Sequence, residues 1–162
     1  MKILLLEPEI PQNTGNIART CACTNTELHL IKPLGFSLDE KQVKRAGLDY
    51  WDKLKLHVHE SFEDFMSKYP DAKIYMATTK AINAYSDVKY EEDSFIMFGK
   101  ESAGIPEEIL YKHKETCVRI PMGEEIRSLN LSNSVAIILY EAFRQQNFSK
   151  LEQKGELRNY NW

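Results

Sequence analysis

The sequence has few cysteines and no long apolar run, and each shortage excludes a class of protein. Its 162 residues include three cysteines, an odd number without the spacing of a disulfide framework or a zinc motif. Cys21 and Cys23 lie two apart in a predicted helix and point in different directions, so we interpret them as small core residues. The apolar run at residues 2–7 is too short for a signal peptide or a membrane span. We therefore expect a cytoplasmic protein that does not enter a membrane.

A strong charge of either sign is also missing. The chain has 21 basic and 24 acidic residues and a net charge of −3, which argues against a large nonspecific surface for nucleic acid. One predicted helix nevertheless carries three basic residues close together, Lys41, Lys44 and Arg45. They form either a solvated helix face or a local RNA-binding patch. His57 and His59 share one face of a predicted strand with no Cys, Asp or third His nearby. We interpret that face as solvated and predict no metal site.

Six short apolar runs read as strands, and several are apolar almost throughout, as in strands covered on both faces. They occupy residues 2–7, 27–32, 54–60, 73–79, 94–99 and 116–121. Helical patterns lie between and after them, at roughly 16–24, 39–46, 61–68, 106–112 and 131–146. This alternation predicts a single α/β domain over residues 1–147 with a mainly parallel six-stranded sheet flanked by helices. Residues 148–162 form a polar tail, in which Tyr160 and Trp162 could dock.

The loop after the first strand is the first candidate for a ligand site, because ligands of open α/β sheets bind beyond the carboxyl ends of strands. It reads "EPEIPQNTGNIAR". Pro8 and Pro11 predict that no helix forms there, Asn13–Asn16 predict a turn, and Ile17 begins the predicted helix. Arg19 then falls in the first helical turn, where its charge opposes the helix dipole. An anion nearby would offset that cost.

Two further loops after strands carry unusual polarity. Residues 98–106 read "FGKESAGIP", but Ser94 occupies the place of the first glycine of a phosphate loop, and the dinucleotide pattern of three glycines is absent. Gly99 would instead let a flat ligand approach the backbone, with the Glu101 carboxylate at the rim. Residues 120–134 contain more hydroxyls and amides than one helix cap needs, which suits hydrogen bonding to a polar ligand.

Taken in order, the three stretches "NTGNIAR", "FGKESAGIP" and "IPMGEEIRSLNLSNSVAIILYEAFRQ" resemble the three motifs of the SPOUT methyltransferases. The resemblance covers residues 2–146 and is strongest to the minimal, one-domain, TrmL-like branch. It implies a C-terminal trefoil knot, a homodimer with shared active sites, and S-adenosylmethionine bound in the knotted loops. It also implies 2′-O-methylation of the wobble nucleotide, cytidine or uridine, in the anticodon stem-loop of tRNA.

The resemblance also implies roles for individual residues. The cofactor contacts would come from Ala77, Thr78, Gly99, Ile120, Ser128 and Leu129. The polar active-site positions would be Asn13, Arg19, Glu101, Ser128 and Asn130. The resemblance also favours a local basic patch for RNA, and the candidate residues are Arg19, Lys41, Lys44, Arg45, Lys80 and Arg127.

The residue chemistry limits what Arg19 can do. No histidine lies in the three motifs to act as a base, and a guanidinium is almost never neutral. We therefore expect Arg19 to orient phosphate or ribose and to stabilise the attacking oxygen, with Ser128 and Asn130 orienting the reacting groups.

Two alternatives remain open. One is a catalytically silent RNA-binding relative of the same fold, against which the intact Arg19, Gly99 and Ser128 argue. The other is a flavodoxin-like nucleotide binder outside the family, against which the missing phosphate loop argues.

Overall fold

A computed structural model describes residues 1–38 and 53–162 of the chain. In these ranges seven strands form one sheet in the order β3-β2-β1-β6-β4-β7-β5, and all their pairings are parallel. The strands are β1 (Lys2–Leu6), β2 (Glu27–Ile31), β3 (Leu56–His59), β4 (Ile74–Ala77), β5 (Asn83–Ala84), β6 (Phe95–Phe98) and β7 (Cys117–Arg119). The predicted helix at 39–46 lies outside the described residues, and so do Lys41, Lys44 and Arg45.

Four α-helices flank the sheet in the described ranges. They are α1 (Pro11–Cys23), α2 (Phe62–Lys68), α3 (Glu107–Lys112) and α4 (Leu131–Gln145), and a short 3₁₀ turn, Lys114–Thr116, follows α3. The predicted α/β class with a parallel sheet is confirmed. The predicted number of six strands is wrong, because β5 is only two residues long and leaves no periodic pattern. No helix in the described part of the chain is long and apolar enough to cross a membrane.

Both faces of the sheet are buried, which explains the apolar runs. Alternate residues of β1 point to opposite sides: Ile3 and Leu5 pack under α1 and α4, whereas Leu4 and Leu6 pack in a second core with Phe65 of α2. All four residues of β6 are buried. Such strands in the middle of a parallel sheet have no solvated side and therefore no polar alternation.

The first helix starts earlier than the sequence predicted. It begins at Pro11 rather than at Ile17, since proline suits the first helical position, where its missing N–H would have no partner anyway. Asn13 therefore lies buried in the first turn rather than in a loop. Arg19 lies in the third turn and is exposed. The expected conflict between Arg19 and the helix dipole is therefore wrong.

Four adjacent strands, β1, β6, β4 and β7, place their carboxyl ends along one edge of the sheet. The segments that follow them are residues 7–10, 99–106, 78–82 and 120–130. The chain order also reverses at β1, which has β2 on one side and β6 on the other. This is the position at which open α/β sheets form ligand-binding crevices.

The polar tail is only partly separate from the domain. Phe148 and Leu151 pack against the core under α1 and α4. Tyr160 is 77% exposed and Trp162 is 91% exposed, so these two aromatic side chains do not dock on the sheet or its helices.

Of the two cysteines of α1, Cys21 is buried as expected, whereas Cys23 is exposed. The interpretation of Cys23 as a core residue is wrong, because it lies in the last turn of α1, on the side facing away from the sheet.

Candidate active site

A cavity of about 500 Å³ opens at the carboxyl edge of the sheet, where the four segments meet. Its volume is within the range of about 300–1,000 Å³ typical of small-molecule sites. All six residues predicted to contact a cofactor line it: Ala77, Thr78, Gly99, Ile120, Ser128 and Leu129. Asn13, Lys80, Glu101 and Asn130 line it as well. One cavity therefore brings together most of the predicted site, from four distant parts of the sequence.

Glu101 holds the loop after β6 against the start of α1. Its carboxylate accepts hydrogen bonds from the backbone N–H of Glu9 at 2.8 Å and of Ile10 at 3.3 Å, and from Asn13 Nδ2 at 2.9 Å. Ile10 is the N-cap residue of α1 and has no side chain that could cap the helix. Glu101 thus satisfies the two N–H groups just before the helix and places a negative charge where the helix dipole favours one.

Asn13 continues this connection to the third stretch. Its Oδ1 accepts a hydrogen bond from Asn130 Nδ2 at 3.0 Å, and its side chain is almost fully buried. Asn130 in turn caps α4, because its Oδ1 accepts from the backbone N–H of Ser132 at 2.9 Å and of Asn133 at 3.4 Å. We call Glu101, Asn13 and Asn130 the polar bridge. It joins all three polar stretches and leaves each side chain satisfied.

Two more contacts fix the loop after β6 to the loop after β1. Lys100 Nζ lies 2.9 Å from Glu7 Oε2, and this pairing raises the pKa of Lys100. Ser102 donates to the Glu9 carboxylate from its N–H at 2.9 Å and its hydroxyl at 2.8 Å, and these bonds lower the pKa of Glu9. Sequence reasoning missed both contacts, because each joins residues 93 positions apart.

Gly99 is required by the folding of its own loop. A Cβ at this position would lie 2.1 Å from the carbonyl carbon of Gly104 and 2.2 Å from the backbone nitrogen of Ile105. The loop turns back tightly here, with Gly104 N donating to Lys100 O at 2.8 Å and Gly104 at a φ of 71°. This differs from the expected reason for the glycine, which was the close approach of a ligand.

The walls of the cavity are mixed in polarity. Ala77, Ile120 and Leu129 are apolar, and two residues that the sequence analysis missed, Ser134 and Ile138, extend the wall along α4. Their spacing of four residues places them on one helix face, a signal that could have identified them. Among the described residues, segment 120–129 makes one internal backbone hydrogen bond, from Ile126 N to Gly123 O at 3.3 Å. Main-chain donors and acceptors therefore remain available beside the cavity.

Three of the residues predicted to contact RNA have exposed charged groups at the protein surface. Arg19 on α1 and Arg127 in segment 120–130 are exposed and do not line the cavity. Lys80 lines the cavity, and its ammonium pairs with Glu107 at 2.5 Å on the surface.

The expectation of a solvated histidine face on β3 is wrong. His59 is 3% exposed, because α2 covers this face of the strand. His29 of β2, which the sequence analysis did not consider, is fully buried beside it.

The chain is similar to known proteins over most of its length. The sequence profile of the SpoU rRNA methylase family matches residues 1–140. A tRNA (cytidine(34)-2′-O)-methyltransferase of Methylovorus glucosotrophus is 49% identical over 148 residues, which cover 91% of this chain and 96% of that protein. The protein of the same name from Escherichia coli is 44% identical over 146 residues, covering 90% and 93%. A solved structure concerned with 2-OH methylation of C/U34 on tRNA superposes with a TM-score of 0.86 at 40% identity, covering 91% and 96%.

Proposed function

Since the chain belongs to the SpoU rRNA methylase family, we propose that it is an S-adenosylmethionine-dependent tRNA 2′-O-ribose methyltransferase acting on the wobble nucleotide, cytidine or uridine 34. The observation that carries this proposal is the cavity at the carboxyl edge, where the polar bridge joins the loop after β6, the first turn of α1 and the cap of α4. The relatives named for nucleotide 34 match almost their whole length, so the comparison concerns the entire enzyme. This family assignment confirms the resemblance found in the motifs.

The cavity fits S-adenosylmethionine in size and in polarity. Its apolar wall of Ala77, Ile120 and Leu129 suits a flat adenine ring. The hydroxyls of Thr78 and Ser128 and the open main-chain groups of segment 120–129 suit the ribose and the amino-acid end. When bound, S-adenosylmethionine supplies an electrophilic methyl group on a sulfonium sulfur.

The chain's own task is then to orient a ribose 2′-hydroxyl and to stabilise the charge that develops on its oxygen. In this proposal Arg19, whose guanidinium stays protonated, stabilises that oxygen and holds a neighbouring phosphate. Ser128 and Asn130 orient the reacting groups from the cavity wall. Glu101 acts as a positioning residue, since both its oxygens already accept hydrogen bonds from α1 and the loop before it.

The proposal includes a homodimer with a shared site, and the trefoil knot that the family resemblance implies. Arg19 is exposed and lies outside the cavity lining of its own chain, which suits a site in which Arg19 of one protomer serves the cavity of the other. Ile137 and Tyr140 leave apolar surface exposed on α4, the helix that packs beside α1. Sedimentation equilibrium at micromolar concentration should show a dimer, and a fully active monomer would contradict the shared site.

A tRNA substrate implies a cytoplasmic enzyme with basic groups around the cavity. We propose that Lys80, which lines the cavity, and the exposed Arg127 contact phosphate groups. Lys41, Lys44 and Arg45, which lie outside the described residues, are further proposed contacts. The Lys80–Glu107 ion pair is exposed, so an RNA phosphate can replace Glu107 at little cost.

The test is methyl transfer from labelled S-adenosylmethionine to a tRNA transcript, followed by mapping of the modified nucleotide. We expect label at nucleotide 34 and none on a matched anticodon stem-loop that carries 2′-deoxycytidine there, because that substrate lacks the accepting oxygen. Label on the deoxy substrate would refute 2′-O transfer. Binding of tRNA and cofactor without transfer to any tRNA would favour the catalytically silent relative instead.

A further inference from the structure

A cluster of three histidines lies away from the cavity, on the face of the sheet covered by α2. His29 of β2 pairs in register with His57 of β3, and His59 follows two residues later on the same face. The His29 ring stacks on His57 with centroids 4.4 Å apart and lies 5.3 Å from His59. Glu27, at the amino end of β2, completes the group: its Oε2 lies 3.3 Å from His57 Nε2 and 3.6 Å from His29 Nε2.

His29 has one satisfied and one unsatisfied ring nitrogen. Its Nδ1 is hydrogen-bonded to His59 Nε2 at 3.0 Å, whereas its Nε2 has no hydrogen-bond partner among the described residues. The side chain is fully buried, and the edges or faces of Phe65, Tyr69 and Phe95 surround it. The unsatisfied Nε2 faces Glu27, whose Oε2 lies 3.6 Å away. Leaving such an atom unpaired in the interior is costly, which indicates a missing partner.

We propose that Glu27, His29 and His57 bind one divalent cation of the zinc class. Zinc takes imidazole nitrogen and carboxylate oxygen at about 2.0–2.1 Å in a tetrahedron, which separates neighbouring ligand atoms by about 3.3 Å. Both separations from Glu27, 3.3 and 3.6 Å, are close to that value, and all three ligand atoms lie within 4.8 Å of one another. The His57 ring stacks on His29 and is partly exposed, so it would turn about its side-chain bonds to direct Nε2 to the ion. The side chains of Glu27 and His57 are 30% and 41% exposed, so water can enter and occupy the fourth position.

The groups behind the ligands support this assignment. When His29 donates from Nδ1 to His59 Nε2, its Nε2 is free to bind the ion, and the hydrogen bond holds the ring in that orientation. His59 Nδ1 faces the Asp64 carboxylate at 3.9 Å, which favours the tautomer that this arrangement requires.

A bound ion would connect β2 to β3 and so stabilise the edge of the sheet, without taking part in methyl transfer. The proposed zinc site lies apart from the proposed methyltransferase site, and zinc binding can be measured without methyl transfer. The cavity lies at the carboxyl ends of the strands, whereas Glu27 begins β2 and His57 is the second residue of β3.

The test is titration of the tag-free, chelator-stripped full chain with ZnCl₂ by calorimetry, beside thermal unfolding with and without the metal. We expect one zinc ion per chain and a higher Tm with zinc. His57→Gln and Glu27→Gln should each weaken zinc binding by on the order of a hundredfold, since even outer groups of metal sites are worth about 10–100-fold. Both side chains are partly exposed, so both variants should fold, and their metal-free Tm checks this.

Two controls separate this site from other zinc ligands. His113→Gln removes the fourth histidine of the sequence, and Cys23→Ser removes the exposed thiol, and both variants should keep wild-type zinc affinity. Cobalt substitution should give a visible spectrum without a thiolate charge-transfer band. Absence of binding at micromolar zinc, or unchanged affinity in folded His57→Gln and Glu27→Gln, would overturn the proposal.

Discussion

Asn130 performs two tasks that substitution can separate. Its Oδ1 caps α4 by accepting from the N–H groups of Ser132 and Asn133, and its Nδ2 donates to the buried Oδ1 of Asn13. Asn130→Ala removes both interactions. Asn130→Ser keeps a hydroxyl that caps a helix about as well as an amide does, but it cannot reach Asn13 with an N–H donor.

The structure sets the expected magnitudes. Loss of a helix cap costs about 1 kcal/mol, and loss of the hydrogen bond to the buried Asn13 oxygen costs about 1 kcal/mol more. Asn130→Ala should therefore lower the free energy of unfolding by about 2 kcal/mol, and Asn130→Ser by about 1 kcal/mol. For a chain of this size, each 1 kcal/mol lowers Tm by about 2–4 °C.

The assay is urea unfolding of both variants at one protein concentration, in the wild-type and Asn13→Ala backgrounds. In the second background the bond to Asn130 is already absent, so Asn130→Ser should cost almost nothing, and the coupling energy should be about 1 kcal/mol. A coupling near zero would show that the polar bridge does not contribute to stability, and equal costs for Ala and Ser at position 130 would show that the helix cap does not.

Three further predictions concern the loops and the reaction. Gly99→Ala should lower Tm and cofactor affinity together, because its Cβ would lie 2.1 Å from the backbone of Gly104; a variant with both values unchanged would contradict the loop geometry. Glu101→Gln should lower Tm by about 5 °C, since one amide oxygen cannot accept all three donors and its charge near α1 is lost; an unchanged Tm would refute this role. Arg19→Ala should reduce methyl transfer by about a hundredfold or more while calorimetric cofactor affinity stays the same, and Arg19→Lys should recover little; a normal rate in the alanine variant would remove Arg19 from the reaction.

The sequence predicted the sheet well because burial on both faces leaves a strong local signal. Six of the seven strands coincide with apolar runs, and the predicted bounds of α2 and α4 lie within one residue of the observed ones. The strand β5 was missed because two residues, Asn83 and Ala84, pair with β7 only through tertiary structure. The start of α1 was misplaced because Pro11 was taken as a helix breaker, whereas proline at the first position favours a helix.

The sequence predicted which residues line the site, but not which of their side chains form hydrogen bonds with one another. Asn13 and Asn130 are 117 positions apart, and nothing local indicates that their amides meet. His29 was overlooked for a related reason: within the run "ELHLIK" it reads as an ordinary member of a buried strand. Only the parallel register of β2 and β3 brings it beside His57 and His59. Contacts of this kind depend on topology, which periodicity does not specify.

The many hydroxyls and amides around the start of α4 now divide into two groups. Asn130 and Ser132 form the cap, and Ser134 donates its hydroxyl to the Asn130 carbonyl at 3.1 Å, so these three side chains have structural partners. Ser128 lines the cavity, yet its hydroxyl has no hydrogen-bond partner among the described residues. A polar side chain that faces a cavity without a structural task is available for a ligand. Ser128 is therefore the residue of this segment whose replacement by alanine should weaken cofactor or substrate binding while leaving Tm unchanged. A loss of Tm as large as that of Asn130→Ala would show instead that Ser128 serves the fold.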